Sequence, residues 1–430
     1  MSLFPVSWKF AEAHEICDRI VDCVNKTAPV VGYDTPYKMI RTTNVKNGRI
    51  DLSGARCVDE ATFIKWNRRL TPRKGDVVLT REAPLGDVGL IRTDDKVFLG
   101  QRVMIFRADE INLDQRFLYY SLLGPTLQGQ ISALGSGSTV EHVRVPDAEK
   151  LVIPHPPIAE QRKIAALLSA YDDLIENNTR SISLLEKMTE EIYREWFVRF
   201  RFPGWQEAEF EKGQPTGWAL VPVSEAIEVN PRERIDKGDE KPFVGMDALA
   251  TDAMYFESKE WRAGNSGSKF RNGDTLFPRI TPCLENGKRG FVMSLEERQV
   301  AVGSTEFIVM RGKRVSPEYT YLLCSFLPFR THAEQSMVGA SGRQRVAENC
   351  FSFFLIKVPP AEIMDKFTKL VRPMFNEIGV LNRYNSVLEQ TKTQLLPRLI
   401  SGKLSVENLD IQFPLSMQND KAESPVEAVA

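Results

Sequence analysis

The chain has 430 residues, 42% hydrophobic and 26% charged, with a net charge of −1. That length is too great for one ordinary core, so two or more domains are expected. No apolar run approaches the roughly 18 residues of a membrane helix, and MSLFPVSWKF has neither the basic region nor the apolar core of a signal peptide, which points to a cytoplasmic protein.

The near-zero net charge conceals an uneven distribution. Residues Ser405–Ala430 carry five acids against Lys421, leaving an excess of three positive charges on residues 1–404. Lys38–Lys74 holds ten Lys/Arg against three Asp/Glu, Lys259–Arg289 seven against three, and Arg311–Arg345 six against two. Basic patches on a neutral chain suit local contact with phosphates, although solvated loops also carry such residues. The cysteines Cys17, Cys23, Cys57, Cys283, Cys324 and Cys350 are scattered, with no C-x-x-C. They form no zinc framework and read as buried or incidental thiols.

In chain order, IRTTNVKNGR (Ile40–Arg49) comes first, with Arg41, Thr43, Asn44, Lys46 and Asn47; Arg, Lys and Asn are types that read base edges. KGDVVLTREAPLGDVGLI (Lys74–Ile91) then gives Gly-Asp, an apolar strand, a turn with Arg81, and a second strand. Arg116–Ile131 is helix-like, and GSGSTVEHVR (Gly135–Arg144) is a turn whose amides, Ser138 hydroxyl and Arg144 cation suit phosphate oxygens. Pro156-Pro157 opens a long helix. Ile164, Tyr171, Asn178, Leu185 and Ile192 recur every seven residues, and Leu168, Ile175, Ile182, Thr189 and Trp196 follow four later. This is a coiled-coil seam with polar breaks, of which Asn178 can fix register. If fully helical, 160–196 would span about 55 Å at about 1.5 Å per residue.

The second half repeats the first. Asn272–Val292 matches Lys74–Ile91 with Gly273 for Gly75 and Arg279 for Arg81, Glu318–Gln335 matches the helix-like segment, and GASGRQR (Gly339–Arg345) matches the Ser/Gly turn. LIKVPPAEIMDKF (Leu355–Phe367) then opens a second helix. Its heptad row is Phe367, Met374, Leu381, Leu388 and Leu395, with Ile363, Leu370 and Tyr384 at the other seam position and Pro373 as an expected interruption or kink. Segments matched in one order imply a duplicated unit: a globular part of strands and helices, then Pro-Pro and a long helix. Two helices with matching heptads favour pairing with each other.

Catalytic signatures are missing: no phosphate-binding or dinucleotide glycine loop, no nucleophile elbow. The four histidines lie apart from any metal-spaced cluster. Asp172-Asp173 are adjacent on a helix and point apart, a poor two-carboxylate site; they read as a solvated helix face. NPRER (Asn230–Arg234) reads as turn chemistry.

The segment from Ile153 through REWFVRF (Arg194–Phe200), combined with LEQTKTQLLPRLISGKL (Leu388–Leu404), resembles the specificity subunit of type I restriction–modification systems. Pro156, Pro157, Glu160 and Gln161 carry the resemblance at the first helix start; in the second unit Glu362 and Ile363 depart from Glu-Gln. The resemblance implies a non-catalytic subunit of mixed α/β fold, with two target recognition domains separated by two long helices in an antiparallel coiled coil. Each domain would read one half of a split duplex DNA target. Partners would be two adenine methyltransferase subunits and a restriction/translocase subunit. These, and not this chain, would use S-adenosylmethionine, ATP and Mg.

The expected boundaries are a first recognition domain over 1–155, a helical region over 156–202, a second recognition domain over 203–358, a helical region over 359–404, and an acidic, flexible tail over 405–430. Candidate DNA-contacting residues are Arg41, Thr43, Asn44, Lys46, Arg81, Ser138 and Arg144 in the first domain, and Arg279, Lys288, Arg289, Arg343 and Arg345 in the second. Two other readings stay open: a methyltransferase or nuclease with its own site, and a coiled-coil scaffold that does not bind DNA.

Overall fold

A computed structural model describes residues 4–135, 141–236, 238–251, 253–258, 260–340 and 344–418. It divides into two units, Met1–Ile175 with Val387–Ala430, and Glu176–Ser386. Each therefore contains part of both long helices, Ile158–Tyr193 and Ala361–Leu399.

The first unit is built on an antiparallel sheet ordered Cys17–Asp22, Val103–Ala108, Val77–Arg81, Leu85–Leu90. Alternation decides its layers, because successive side chains leave opposite faces of a strand. Val77, Leu79, Met104 and Phe106 enter a core with the helices Gln115–Leu123 and Pro125–Gly135, whereas Val78, Val103 and Ile105 enter a second core with Ile40 and Val97. Asp114 starts the helix Gln115–Leu123 by accepting from the Arg116 and Phe117 amides at 3.0 Å, satisfying donors that have no partner inside the helix.

The second unit repeats this plan: Ile227–Val229, Phe307–Gly312, Thr275–Pro278 and Gly290–Phe291, also antiparallel. Phe277, Ile308 and Met310 point to one core and Leu276, Phe307 and Val309 to the other. Even a buried ion pair is duplicated. Arg107 grips Asp76 through two bonds of 2.7 Å, and Arg311 grips Asp274 through two of the same length. Each carboxylate also accepts from a backbone amide three residues earlier, Arg73 or Arg271, at 2.9 Å.

Short antiparallel pairs, Lys9–Glu12 with Val152–His155 and Ala219–Pro222 with Leu355–Val358, lead into the long helices. Gln161 is fully buried in the first of these junctions. Its side chain donates to the Pro156 and Asn112 carbonyls at 2.8 Å and accepts from the Asp114 amide at 2.8 Å. The strands that enter the helices, Val152–His155 and Leu355–Val358, align with an offset of 203 positions, which puts Met364, and not Ile363, in the place of Gln161. Met364 is buried, so an apolar contact replaces the amide bonds there.

The two helices pack antiparallel within each unit. In the first, Ile164 and Leu168 share a core with Leu395, Leu396 and Leu399; in the second, Ile182, Leu185 and Ile192 share one with Phe367, Val371, Phe375 and Ile378. Phe197, in the π-helical turn Arg194–Val198, meets Phe367 edge-on at 4.7 Å. The second helix runs through Pro373 without interruption. Leu370 and Tyr384, expected on its seam, are 43% and 61% exposed. The row facing inward lies one residue later, as Met364, Val371, Ile378, Asn385, Lys392 and Leu399. Two of its members are polar, which hid it from a search for apolar heptads. Asn385 accepts from the Asn178 amide group at 2.9 Å. Met374, Leu381 and Leu388 are half-buried, as is Tyr171 on the first helix, while Ile175 is buried.

Asp172 corrects a further expectation, for it is not solvated. It is 4% exposed and accepts from Tyr120 Oη at 2.6 Å, Lys392 Nζ at 2.8 Å and Arg92 Nη2 at 3.0 Å. Burial alone would raise its pKa. Lys392 and Arg92 outweigh that, with the hydrogen bonds from Lys392 and Tyr120, and hold the carboxyl below its ordinary range. Asp173 pairs with Arg92 at 3.4 Å and accepts from Ser416 at 2.6 Å. Residues 405–418 are packed on this unit: Val406 is fully buried, and Arg116 donates to the Ser416 carbonyl at 2.7 Å. The rest of the acidic tail lies outside the described residues.

Candidate nucleic-acid interface

Both units present a cation on the same turn. After the strands Val77–Arg81 and Thr275–Pro278, the amides of Arg81 and Arg279 donate to Arg102 and Glu306 carbonyls at 2.9 Å. Their own carbonyls accept from Val143 at 3.1 Å and Val346 at 2.8 Å. A cis peptide precedes Pro84 in one turn and Pro282 in the other.

The side chains diverge. Arg81 is only 14% exposed, donates to Asp22 at 2.7 Å and to His142 Nε2 at 2.8 Å, and shares Asp22 with Arg69. Arg279 is 28% exposed, pairs with Glu348 at 3.0 Å and borders a cavity of about 770 Å³. Asn230 shapes that cavity. It adopts φ of 52°, donates its amide to the Val309 carbonyl at 2.7 Å, and accepts from the Val309 amide on Oδ1 at 3.0 Å. Locked on both sides, it turns the chain so that Arg232 and Arg234 line the rim with Lys269. Glu233 lies between them but is held by Arg311 at 2.7 Å. The lining is therefore cationic in its available groups.

The remaining candidates are placed as follows. Asn47 and Gly48, with φ of 52° and 79°, make the tight hairpin turn between Val45–Lys46 and Arg49–Ile50. Thr43 and Lys46 are exposed and Arg41 half-buried. Asn44 is engaged within this turn: Oδ1 accepts from the Arg41 amide at 3.0 Å, and Nδ2 donates to Asp51 at 2.9 Å. Arg144 is exposed and paired with Asp147 at 2.8 Å. Lys288 donates to the Met246 carbonyl at 3.0 Å. Arg289 is 5% exposed, with Glu190 at 3.3 Å and its guanidinium over the Tyr321 ring, so it faces the core and not a surface that DNA could meet. Arg345 grips Glu306 at 2.9 Å, and this bond holds the Glu306 carboxyl below its usual range. Ser138 and Arg343 lie outside the described residues. Arg232, Arg234 and Lys269 were not anticipated. The signal available for the first two was their spacing of two, which puts both on one side of an extended chain.

Among the described residues no cluster of three His, Cys, Asp or Glu side chains is placed to hold a metal ion, and no helix is long and apolar enough to cross a membrane. What the fold and these surfaces define is a protein of duplicated α/β units with cationic turns, each unit leading into a long helix.

Residues 6–187 match the family described as the type I restriction modification DNA specificity domain. The MjaIX specificity subunit of Methanocaldococcus jannaschii is 26% identical, over 83% of this chain and 83% of that one. The EcoAI specificity subunit of Escherichia coli is 32% identical over 47% of this chain and 34% of its own. The crystal structure of a type I restriction–modification S subunit from M. genitalium shares the fold, with a TM-score of 0.57 at 16% identity, covering 91% of this chain and 96% of that one. Residues 6–187 thus carry a DNA specificity domain of the type I restriction–modification family, and over most of its length the chain is similar to the specificity subunits of those systems.

Proposed function

We propose that this subunit reads a bipartite DNA target, one half with each α/β unit. The recognition surfaces would fall within 1–155 and 203–358, and the helical regions 156–202 and 359–404 would set the spacing of the half-sites. The observation that carries this reading is the duplication of the recognition unit in tertiary detail, down to the Asp76–Arg107 and Asp274–Arg311 pairs and the Arg81 and Arg279 turns. Two equivalent units suit two DNA segments. The candidate contacts are the exposed or half-exposed cations Arg41, Lys46, Arg144, Arg279 and Arg345, with Thr43.

Two adenine methyltransferase subunits and a restriction/translocase subunit would assemble on this chain, and S-adenosylmethionine, ATP and Mg would serve those partners. The test is methylation mapping in cells that carry the methyltransferase partner, with and without this chain. Adenine methylation at one split sequence, present only with both, is the expected result. Site-specific methyl transfer by the purified chain alone, at the rate of the complex, would refute it.

A further inference from the structure

We infer that the two equivalent turn arginines have parted roles: Arg279 reads a base from the floor of a cationic groove, with Arg232, Arg234 and Lys269 contacting phosphates, while Arg81 braces its own unit and reads nothing. The inference rests on the proposal that each unit contacts DNA.

The strand registers show how the difference arose. Ile20 pairs with Phe106 in the first unit as Val229 pairs with Met310 in the second, so Asp22 and Pro231 occupy equivalent places. In the first unit that place holds a carboxylate, which takes both Arg81 and Arg69. Both guanidinium ends of Arg81 are engaged, one on Asp22 and one on His142. In the second unit Pro231 carries no charge, the chain swings out after Asn230, and the space becomes the cavity of about 770 Å³. No described carboxylate pairs with Arg232, Arg234 or Lys269, and the one acid between them, Glu233, is neutralised from behind by Arg311. Among the described carboxylates Arg279 forms an ion pair with Glu348 alone, which is 40% exposed on its side chain, while Glu306 acts on it from farther away and is itself gripped by Arg345. A bond to so exposed a carboxylate is weak in water and exchangeable for a guanine edge, which a guanidinium meets with two parallel bonds. Side chains that contact phosphates position the protein without reading sequence, which suits three cations on a rim.

The test uses the full chain assembled with its methyltransferase partner, a randomised duplex library, and sequencing of the sites methylated. Arg279→Gln should relax the preference at one base pair of one half-site by roughly 5- to 150-fold and leave the other half unchanged. Arg81→Gln should leave the preference at every base pair intact; where that variant does not fold, Arg81→Lys, which keeps a cation beside Asp22, takes its place. The triple variant Arg232→Ala, Arg234→Ala, Lys269→Ala should keep both half-sites and flatten the slope of log affinity against log salt by about 2.7, at about 0.9 for each phosphate no longer neutralised. Unchanged base preference in Arg279→Gln, a uniform loss across all sequences, or equal relaxation by the Arg81 variant would each overturn the inference. A wild-type complex that selects no split sequence at all would instead remove the proposal beneath it.

Discussion

Asp172 shows how much one buried charge can organise. It meets Tyr120 and Arg92 from the α/β part of its unit and Lys392 from the second long helix. Without its charge Arg92 and Lys392 would face one fewer acid, keeping Asp173 and Glu389, and losing one side of a buried ion pair is strongly destabilising. Asp172→Asn should therefore destabilise the protein by about 3 kcal/mol, read by denaturant unfolding. The folded carboxyl is held below its unfolded value, so its contribution is complete above about pH 4. As pH falls through the lower, folded pKa the contribution is lost. The stability gap between wild type and variant should be constant near neutrality and close in acid. A gap that persists undiminished below the folded pKa would mean that packing, not charge, holds this site.

At the scale of elements, the first long helix was legible: the series Leu168, Ile175, Ile182 and the tightly buried Ile164 follow from apolar spacing. On the second helix Phe367 is buried as its spacing implies, but the companion row through Leu370 and Tyr384 lies one residue out of phase, because Asn385 and Lys392 occupy the inward row and apolar spacing does not mark them. The duplicated sheets were legible as strand–turn–strand patterns, since buried strands must be apolar. Which arginine is held the less tightly was not, since that depends on Asp22 and Glu348, far from the turns in sequence. Asp172 was misread for the same reason: its partners lie at positions 92, 120 and 392. The Asn178–Asn385 pair invites a direct trial. Replacing both by Leu should raise the melting temperature, because a half-buried polar pair on the seam gives up apolar packing, and should loosen the register it fixes. A lower melting temperature would show that the pair stabilises outright. Gly124 tests how the end of the second helix docks. A methyl group there would lie 1.7 Å from Ile400 Cδ1. Gly124→Ala should cost about 1–3 kcal/mol, and Ile400→Val in the same chain should recover part of it.

For the molecule as a whole, the helices' role is open to measurement through DNA. Inserting one heptad into each long helix preserves the seam and adds about 10.5 Å at about 1.5 Å per residue. That is about three base pairs at 3.4 Å per step, although duplex rotation over that length also shifts the readable faces. Methylation mapping should show an altered spacer with both half-site sequences retained. Altered half-sites at unchanged spacing would assign the spacing to something other than the helices.

The division of the chain carries a consequence of timing. The first unit needs Val387–Leu399 and the segment to 418 for Lys392, Leu399, Val406 and Ser416, whereas the second is complete at Ser386. On the ribosome, then, the domain begun first is closed last. Its Asp172 waits for Lys392 while more than two hundred further residues are made, at roughly 5–20 residues per second. During those seconds Ile164 and Leu168 lack their cover from Leu395 and Leu399, an apolar face open to chaperones or to another nascent chain. A chain stalled just after Ser386 should have a protease-resistant second unit and a protease-sensitive first one, the reverse of the order in which their sequences emerge.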